Sequence, residues 1–478
     1  MHDQKKKEKQ HLTREAEAAA AEEHERVGAL YKSVLTSNKA HDYSAEILTQ
    51  TEALLMAIPE AYTAYNCRRL ALKAVASLSP RAEASVPSTE VSSPTATPIS
   101  TTPRPGWLVE ELKLNSKVLL LNYKNYNAFL HRHWIFNQLE ALAKLEMQQS
   151  AGPAAGMAVE TTAPGTYELL CDLLRKERAQ CEQLLQLDER NFHAWNYRRW
   201  VLAQEHRATQ IAVAHRLTPS PSASAEEETQ SIASAAPPPV VFSPEETAEL
   251  AYTVDKIKNN FSNYSAWHQR SLAIQSAVSR WQLYQEQNGL VGATGAAQQH
   301  KQAWRAALLA QLREDIDFLK QAVYCDPNDQ SAWFYAPFVF QLLRRQYSAE
   351  DGAEDAAALE DSFMYSVIEL VAELDRVGAY HECYLPYYFL LDQLVVLQAA
   401  SGSTDTRSSR SLERHIATLS EKVSSFFVTA DGGAVGGGEG ASVRLQCFQY
   451  LHMRLREADK LRRCLYDDLF QRALKGCE

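Results

Sequence analysis

Apolar positions recur three or four residues apart through most of the chain, the spacing that gathers them on one face of an α-helix. Leu169, Leu173, Leu184 and Leu187 form one such stripe, and Leu250, Val254 and Ile257 form another. No run of alternating strands and no leucine-rich repeat series interrupts them. The helical blocks alternate with tracts almost without aromatics: 79–106, 150–166 and 207–244 are Ser, Thr, Ala and Pro tracts, and 285–302, 401–411 and the Gly-rich 431–442 are weaker examples. Such tracts bury too little apolar surface to offset ordering entropy, and they are expected to be disordered insertions between elements.

The helical blocks repeat. Aligned in register, 61–72, 125–136, 191–202, 263–274 and 329–340 put Tyr65, Phe129, Trp195, Trp267 and Trp333 at one position. These aromatics stand 64, 66, 72 and 66 residues apart, and removing the intervening tracts leaves 36, 49, 34 and 48, near the ~34 to ~47 of helical-hairpin repeats. Seven positions after each aromatic come Leu72, Phe136, Leu202, Ile274 and Phe340, two turns along the same face, so the stripe is core. Arg68, Arg132, Arg198 and Arg270 follow four of the aromatics by three residues and are expected to pair with carboxylates on adjacent helices. Asn191, Asn263 and Asp329 precede their helices and can accept bonds from the first-turn N–H groups. Each repeat is then helix, turn, helix. A unit of that kind cannot bury its apolar face alone, which implies an all-α solenoid in which neighbours supply the core. Residues 1–26 are expected to be a flexible charged arm, and 27–478 a single helical-repeat domain with insertions.

Charge narrows the function. The 478 residues carry a net charge of -10, against a general nucleic-acid binder. No apolar run approaches the ~20 residues of a membrane span, the best candidate being broken by Asp392 and Gln393. The N-terminus runs through Lys5, Lys6 and Lys7 into Ala and Glu with no apolar segment, so a cytoplasmic location is expected. Eight scattered cysteines without a C-x-x-C pair read as reduced thiols, and Cys477 is not placed for a C-terminal lipidation signal. No phosphate loop, H-E-x-x-H or G-x-S-x-G is present, so nothing reads as a self-contained active site.

The repeat itself carries a family likeness. Asn191-Phe192-His193-Ala194-Trp195-Asn196-Tyr197-Arg198 and Asn263-Tyr264-Ser265-Ala266-Trp267-His268-Gln269-Arg270 resemble the repeat of protein prenyltransferase α subunits, whereas tetratricopeptide repeats place Leu-Gly after their Trp. Asn66-Cys67-Arg68-Arg69, Asp188-Glu189-Arg190-Asn191, Asp326-Pro327-Asn328-Asp329, Met1-His2 and Leu465-Tyr466-Asp467-Asp468-Leu469 are similar to the Rab geranylgeranyltransferase branch. Tyr65 and Phe129 replace the usual Trp. Ala336-Pro337-Phe338 departs in the fifth repeat, where Pro337 is expected to kink its helix.

The resemblance implies a right-handed, tetratricopeptide-like superhelix that acts as one half of a heterodimer. A β subunit would hold the zinc and the lipid pocket, with no cofactor held by this chain. The substrates implied are geranylgeranyl diphosphate and the C-terminal cysteines of Rab GTPases presented by an escort protein. The second-repeat turn would bring Lys124 to the leaving diphosphate, Tyr126 to the site wall and Asn127 to the acceptor peptide. The third-repeat turn would bring Asn191, Phe192 and His193, with His193 near the lipid diphosphate. His2, on the arm, is a speculative ligand to the partner's zinc. By their residue types alone, Lys124 reads equally as a surface lysine, Asn191 as a helix cap and His193 as a buried imidazole. Two other readings stand beside this one: the α subunit shared by farnesyltransferase and type I geranylgeranyltransferase, and a non-catalytic helical-repeat scaffold.

Overall fold

The computed structural model describes residues 14–78, 104–150, 165–217, 240–287, 295–347, 352–401, 406–427 and 443–475. His2, the lysines at 5–7 and the middles of the expected insertions lie outside the described residues. Among the described residues every element is helical, with no strand. By packing, the chain divides into two units, 1–223 and 224–478.

In the first unit, α1 (Arg14–Lys39) lies against the hairpin α2 (Ala45–Ala57) and α3 (Tyr62–Leu78). The hairpins α4 (Pro105–Leu121) with α5 (Tyr126–Ser150), and α6 (Thr166–Leu187) with α7 (Phe192–Leu217), follow it. Each hairpin packs on the next, α2 on α4, α3 on α5, and α5 on α6 and α7. The second unit opens with two more hairpins, α8 (Pro244–Asn259) with α9 (Tyr264–Gln287), and α10 (Ala296–Cys325) with α11 (Gln330–Gln346). It closes with α12 (Ala353–Arg376), α13 (Leu385–Ser401), α14 (Thr406–Val423), α15 (Val443–Ala458) and α16 (Arg463–Leu474).

Tyr65, Phe129, Trp195, Trp267 and Trp333 are all buried, as their register requires of a core stripe. Helices reach further than the low-aromatic tracts led us to expect. α1 takes in residues 14–26 of the expected arm, α7 runs on to Leu217, α10 starts at Ala296 and α14 at Thr406. Ala, Glu, Gln and Arg dominate these extensions, and they are strong helix formers that need little packing to extend a turn already begun. α11 passes through Pro337 as one continuous helix from Gln330 to Gln346.

Candidate functional site

Four of the five repeat hairpins, the second to the fifth, turn in four residues by the same chemistry. In the second, Asn125 N–H donates to the Asn122 carbonyl at 3.1 Å while the Asn122 side chain accepts from Lys124 N–H at 3.1 Å. The third repeats this with Asn191 N–H on the Asp188 carbonyl at 3.1 Å and Arg190 N–H on the Asp188 carboxylate at 3.0 Å. Asn260 and Asp326 serve their turns in the same way. The last residue of the turn then caps the second helix, Asn125 accepting from Asn127 and Ala128, and Asn191 from His193 and Ala194. These local bonds compete well with continued helix, which is why Asn and Asp end one helix and begin the next.

The core aromatic reports on the same turn. Trp195, Trp267 and Trp333 donate their indole N–H to the carbonyl six residues earlier at 2.8, 2.8 and 3.0 Å, and the Tyr65 hydroxyl does so at 2.9 Å. Phe129 has no donor. The carbonyl it leaves, that of Tyr123, is taken at 2.7 Å by the side-chain N–H of Asn191 from the next turn.

The repeat arginines pair with carboxylates as expected. Arg68 meets Glu111 at 2.5 Å, Arg132 forms a two-bonded pair with Glu177, and Arg270 meets Asp315 at 2.5 Å. Each acid also holds a side chain of its own hairpin, two positions after the core aromatic: His131 on Glu111 at 2.7 Å, Tyr197 on Glu177 at 2.8 Å and Tyr335 on Asp315 at 2.6 Å. Sequence reasoning missed these acids. The signal was present, because Glu111, Glu177, Glu249 and Asp315 each stand 18 residues before an aromatic of the register.

At the turn edge of the first unit the expected site residues of the second and third repeats meet. Lys124 Nζ lies 2.6 Å from Asp188 of the following turn. That hydrogen bond holds the ammonium above its ordinary value. Partial burial pushes the Asp188 carboxyl up, but Lys124 and the Arg190 N–H outweigh it and hold the group below the usual carboxylate range. The Tyr126 ring stands 5.7 Å from that of His193, which also packs on Phe129 at 6.2 Å and Phe192 at 4.0 Å between centroids. Burial, helped by the Lys124 charge, lowers the His193 imidazole, so near neutral pH it is uncharged and can donate through one ring N–H.

The other expected residues divide. Phe192 and Tyr126 are exposed, each at 57%, and open to a ligand. Asn127 is half-buried, its amide turned toward the Glu60 carbonyl of the preceding turn at 3.4 Å. Asn191 is buried, with its amide bonded inside the chain as cap and fastener. An apolar cavity of about 240 Å³ lined by Phe136, Leu170, Leu174, Trp200 and Ile211 touches none of these residues. Among the described residues no three of His, Cys, Asp and Glu converge as a metal's ligand set. No described helix is long and apolar enough to cross a membrane.

Exposed aromatics extend this edge. Tyr62, Tyr126 and Phe192, the first residues of α3, α5 and α7, are 59, 57 and 57% exposed. Ile58, Leu121 and Leu187 are exposed at the ends of the preceding helices. Tyr264 holds the same place at the head of α9 in the second unit.

Residues 108–139, 174–205, 247–277 and 312–343 each match the protein prenyltransferase alpha subunit repeat. Among curated proteins, the geranylgeranyl transferase type-2 subunit alpha of Bos taurus is 26% identical over 64% of this chain and 35% of its own length. The protein of that name from Saccharomyces cerevisiae is 25% identical over 64% of this chain and 62% of its own. The chain thus spans about a third of the mammalian relative and less than two-thirds of the yeast one. Among solved structures, a chain of Candida albicans protein geranylgeranyltransferase-I complexed with GGPP is 16% identical, covering 83% of this chain and 91% of that one, with a TM-score of 0.37.

Proposed function

We propose, from the premise that this chain is built on protein prenyltransferase alpha subunit repeats, that it is the alpha subunit of a cytosolic geranylgeranyl transferase type 2. In this reading a β subunit seats on the turn edge and holds the zinc and the lipid. The heterodimer moves geranylgeranyl from its diphosphate to C-terminal cysteines of Rab GTPases delivered by an escort protein. The observation that carries the reading is the meeting of two turns, which puts a cation, a phenol and an imidazole on one edge beside exposed aromatics.

The chemistry asks for what that edge supplies. When a thiolate displaces diphosphate, negative charge grows on the leaving oxygens, and fixed cations and donors aimed at that charge lower the barrier. Lys124 offers an ammonium with N–H bonds to spare beyond the one Asp188 takes. His193 offers a neutral N–H, and Tyr126 a hydroxyl. Phe192 has no donor and serves as an apolar wall.

Because the Lys124 charge is needed more in the transition state than in the bound substrate, Lys124→Ala should lower kcat by ~10²-fold with a smaller effect on lipid binding. Lys124→Arg should recover part of the rate, since charge survives and geometry changes. Lys117, on the preceding helix, is the control. Single-turnover transfer by complexes assembled with one β subunit measures all three. A Lys124→Ala complex that assembles normally and transfers lipid at the wild-type rate would leave the chain a structural cradle.

A further inference from the structure

We infer that Asp188 is a positioning residue for the reaction, holding the Lys124 ammonium where the leaving diphosphate arrives. The inference rests on the function proposed above and adds a residue that the turn motif alone does not mark.

Asp188 is itself held. One carboxylate oxygen accepts the Arg190 N–H at 3.0 Å, the bond that shapes its own turn, and the other lies 2.6 Å from Lys124 Nζ. The carboxylate therefore cannot swing without breaking the turn. The lysine is the opposite case, a point charge on four rotatable methylenes, 41% exposed, which in water would sample many positions. A fixed partner on the adjacent turn removes most of that freedom before any substrate binds. The ammonium keeps its remaining N–H bonds for an anion on its exposed side. Preorganisation of this kind matters because charge stabilisation depends on the cation already being in place when the bond breaks.

A competing account treats the pair as a fastener between turns, like the bond that Asn122 Nδ2 donates to Glu60 Oε1 at 2.8 Å one turn earlier. The two accounts separate because the chain itself supplies a clean substitution. Asn122 and Asn260 occupy the register of Asp188 and shape their turns with the same side-chain acceptor, so Asp188→Asn keeps the turn and removes the charge together with the oxygen that accepts from Lys124.

The experiment compares wild type, Asp188→Asn, Lys124→Ala and the double variant, each assembled with the same β subunit, using geranylgeranyl diphosphate and a Rab substrate. Positioning predicts that Asp188→Asn lowers kcat about tenfold, leaves KM for the lipid within about twofold and leaves Tm unchanged. It also predicts that Asp188→Asn has no further effect once Lys124 is Ala, because nothing is left to position. Asp188→Asn at the wild-type rate beside a slow Lys124→Ala overturns the inference and spares the proposed function. A lowered Tm with kcat and KM moving together, or full additivity in the double variant, assigns Asp188 to the fold and overturns it too. If Lys124→Ala is itself as fast as wild type, the proposed function fails first and takes the inference with it.

Discussion

At the scale of single residues, the buried carboxylates carry the most testable energetics. Arg132 and Glu177 are almost without solvent exposure, so leaving one charged without the other is expensive, about 3–5 kcal/mol. Glu177→Gln keeps an acceptor for Tyr197 but orphans the guanidinium, and should lower stability by about 3 kcal/mol in urea unfolding. Adding Arg132→Met should recover much of that loss. His131 gives a pH signature. Burial, with Arg69 and Arg68 nearby, pushes its imidazole below the ordinary value against the pull of Glu111. Arg69 Nε donates to His131 Nδ1 at 3.1 Å, which leaves Nε2–H to donate to Glu111. The unfolded chain therefore takes up a proton below about pH 6.5 that the native chain refuses, and stability falls as pH drops through that value. Gln269 makes the equivalent bond to Glu249 at 3.0 Å in the fourth repeat, so His131→Gln should fold and flatten the Tm profile between about pH 7 and 5.5. The aromatics and arginines of the repeat were legible in the sequence because they recur within one helix. Their acids stand on the other helix of each hairpin, outside any local period, and show only as a fixed 18-residue offset from the aromatic once the register is known.

Among the elements, the turns decide most. Asn191 caps α7 twice and fastens the turn before it, so Asn191→Ala should cost about 2 kcal/mol, from a lost cap and a lost bond to a backbone carbonyl. Asn191→Ser keeps a capping acceptor and loses the bond to the Tyr123 carbonyl, and thermal unfolding should place it between wild type and Ala. Helix pairs and their turns were readable from periodicity and from Asn or Asp at fixed offsets. Helix ends were less so, as α7 and α10 show: a tract poor in aromatics signals little packing, but Ala, Gln and Glu still propagate a helix. The pairing of Lys124 with Asp188 was beyond reach, since 64 residues and the helices α5 and α6 separate them in the chain.

Over the molecule, the aromatic row at the heads of α3, α5 and α7 is the surface a partner should cover. Tyr62, Tyr126 and Phe192 contribute little to the core, so replacing all three with Ser should leave Tm nearly unchanged and weaken β-subunit binding at least tenfold, as titration of the purified subunits would measure. An unaltered affinity would move the interface elsewhere. The four-residue turns bear on how such a chain can change over generations. Ile58 to Ala61, Asn122 to Asn125, Asp188 to Asn191, Asn260 to Asn263 and Asp326 to Asp329 each close with the same 3.1 Å backbone bond, while the links from α5 to α6, α7 to α8 and α9 to α10 differ widely in length. Growth by insertion is thus confined to the connections between hairpins. A lineage can lengthen those connections freely and still hand its descendants a reactive edge of unaltered span.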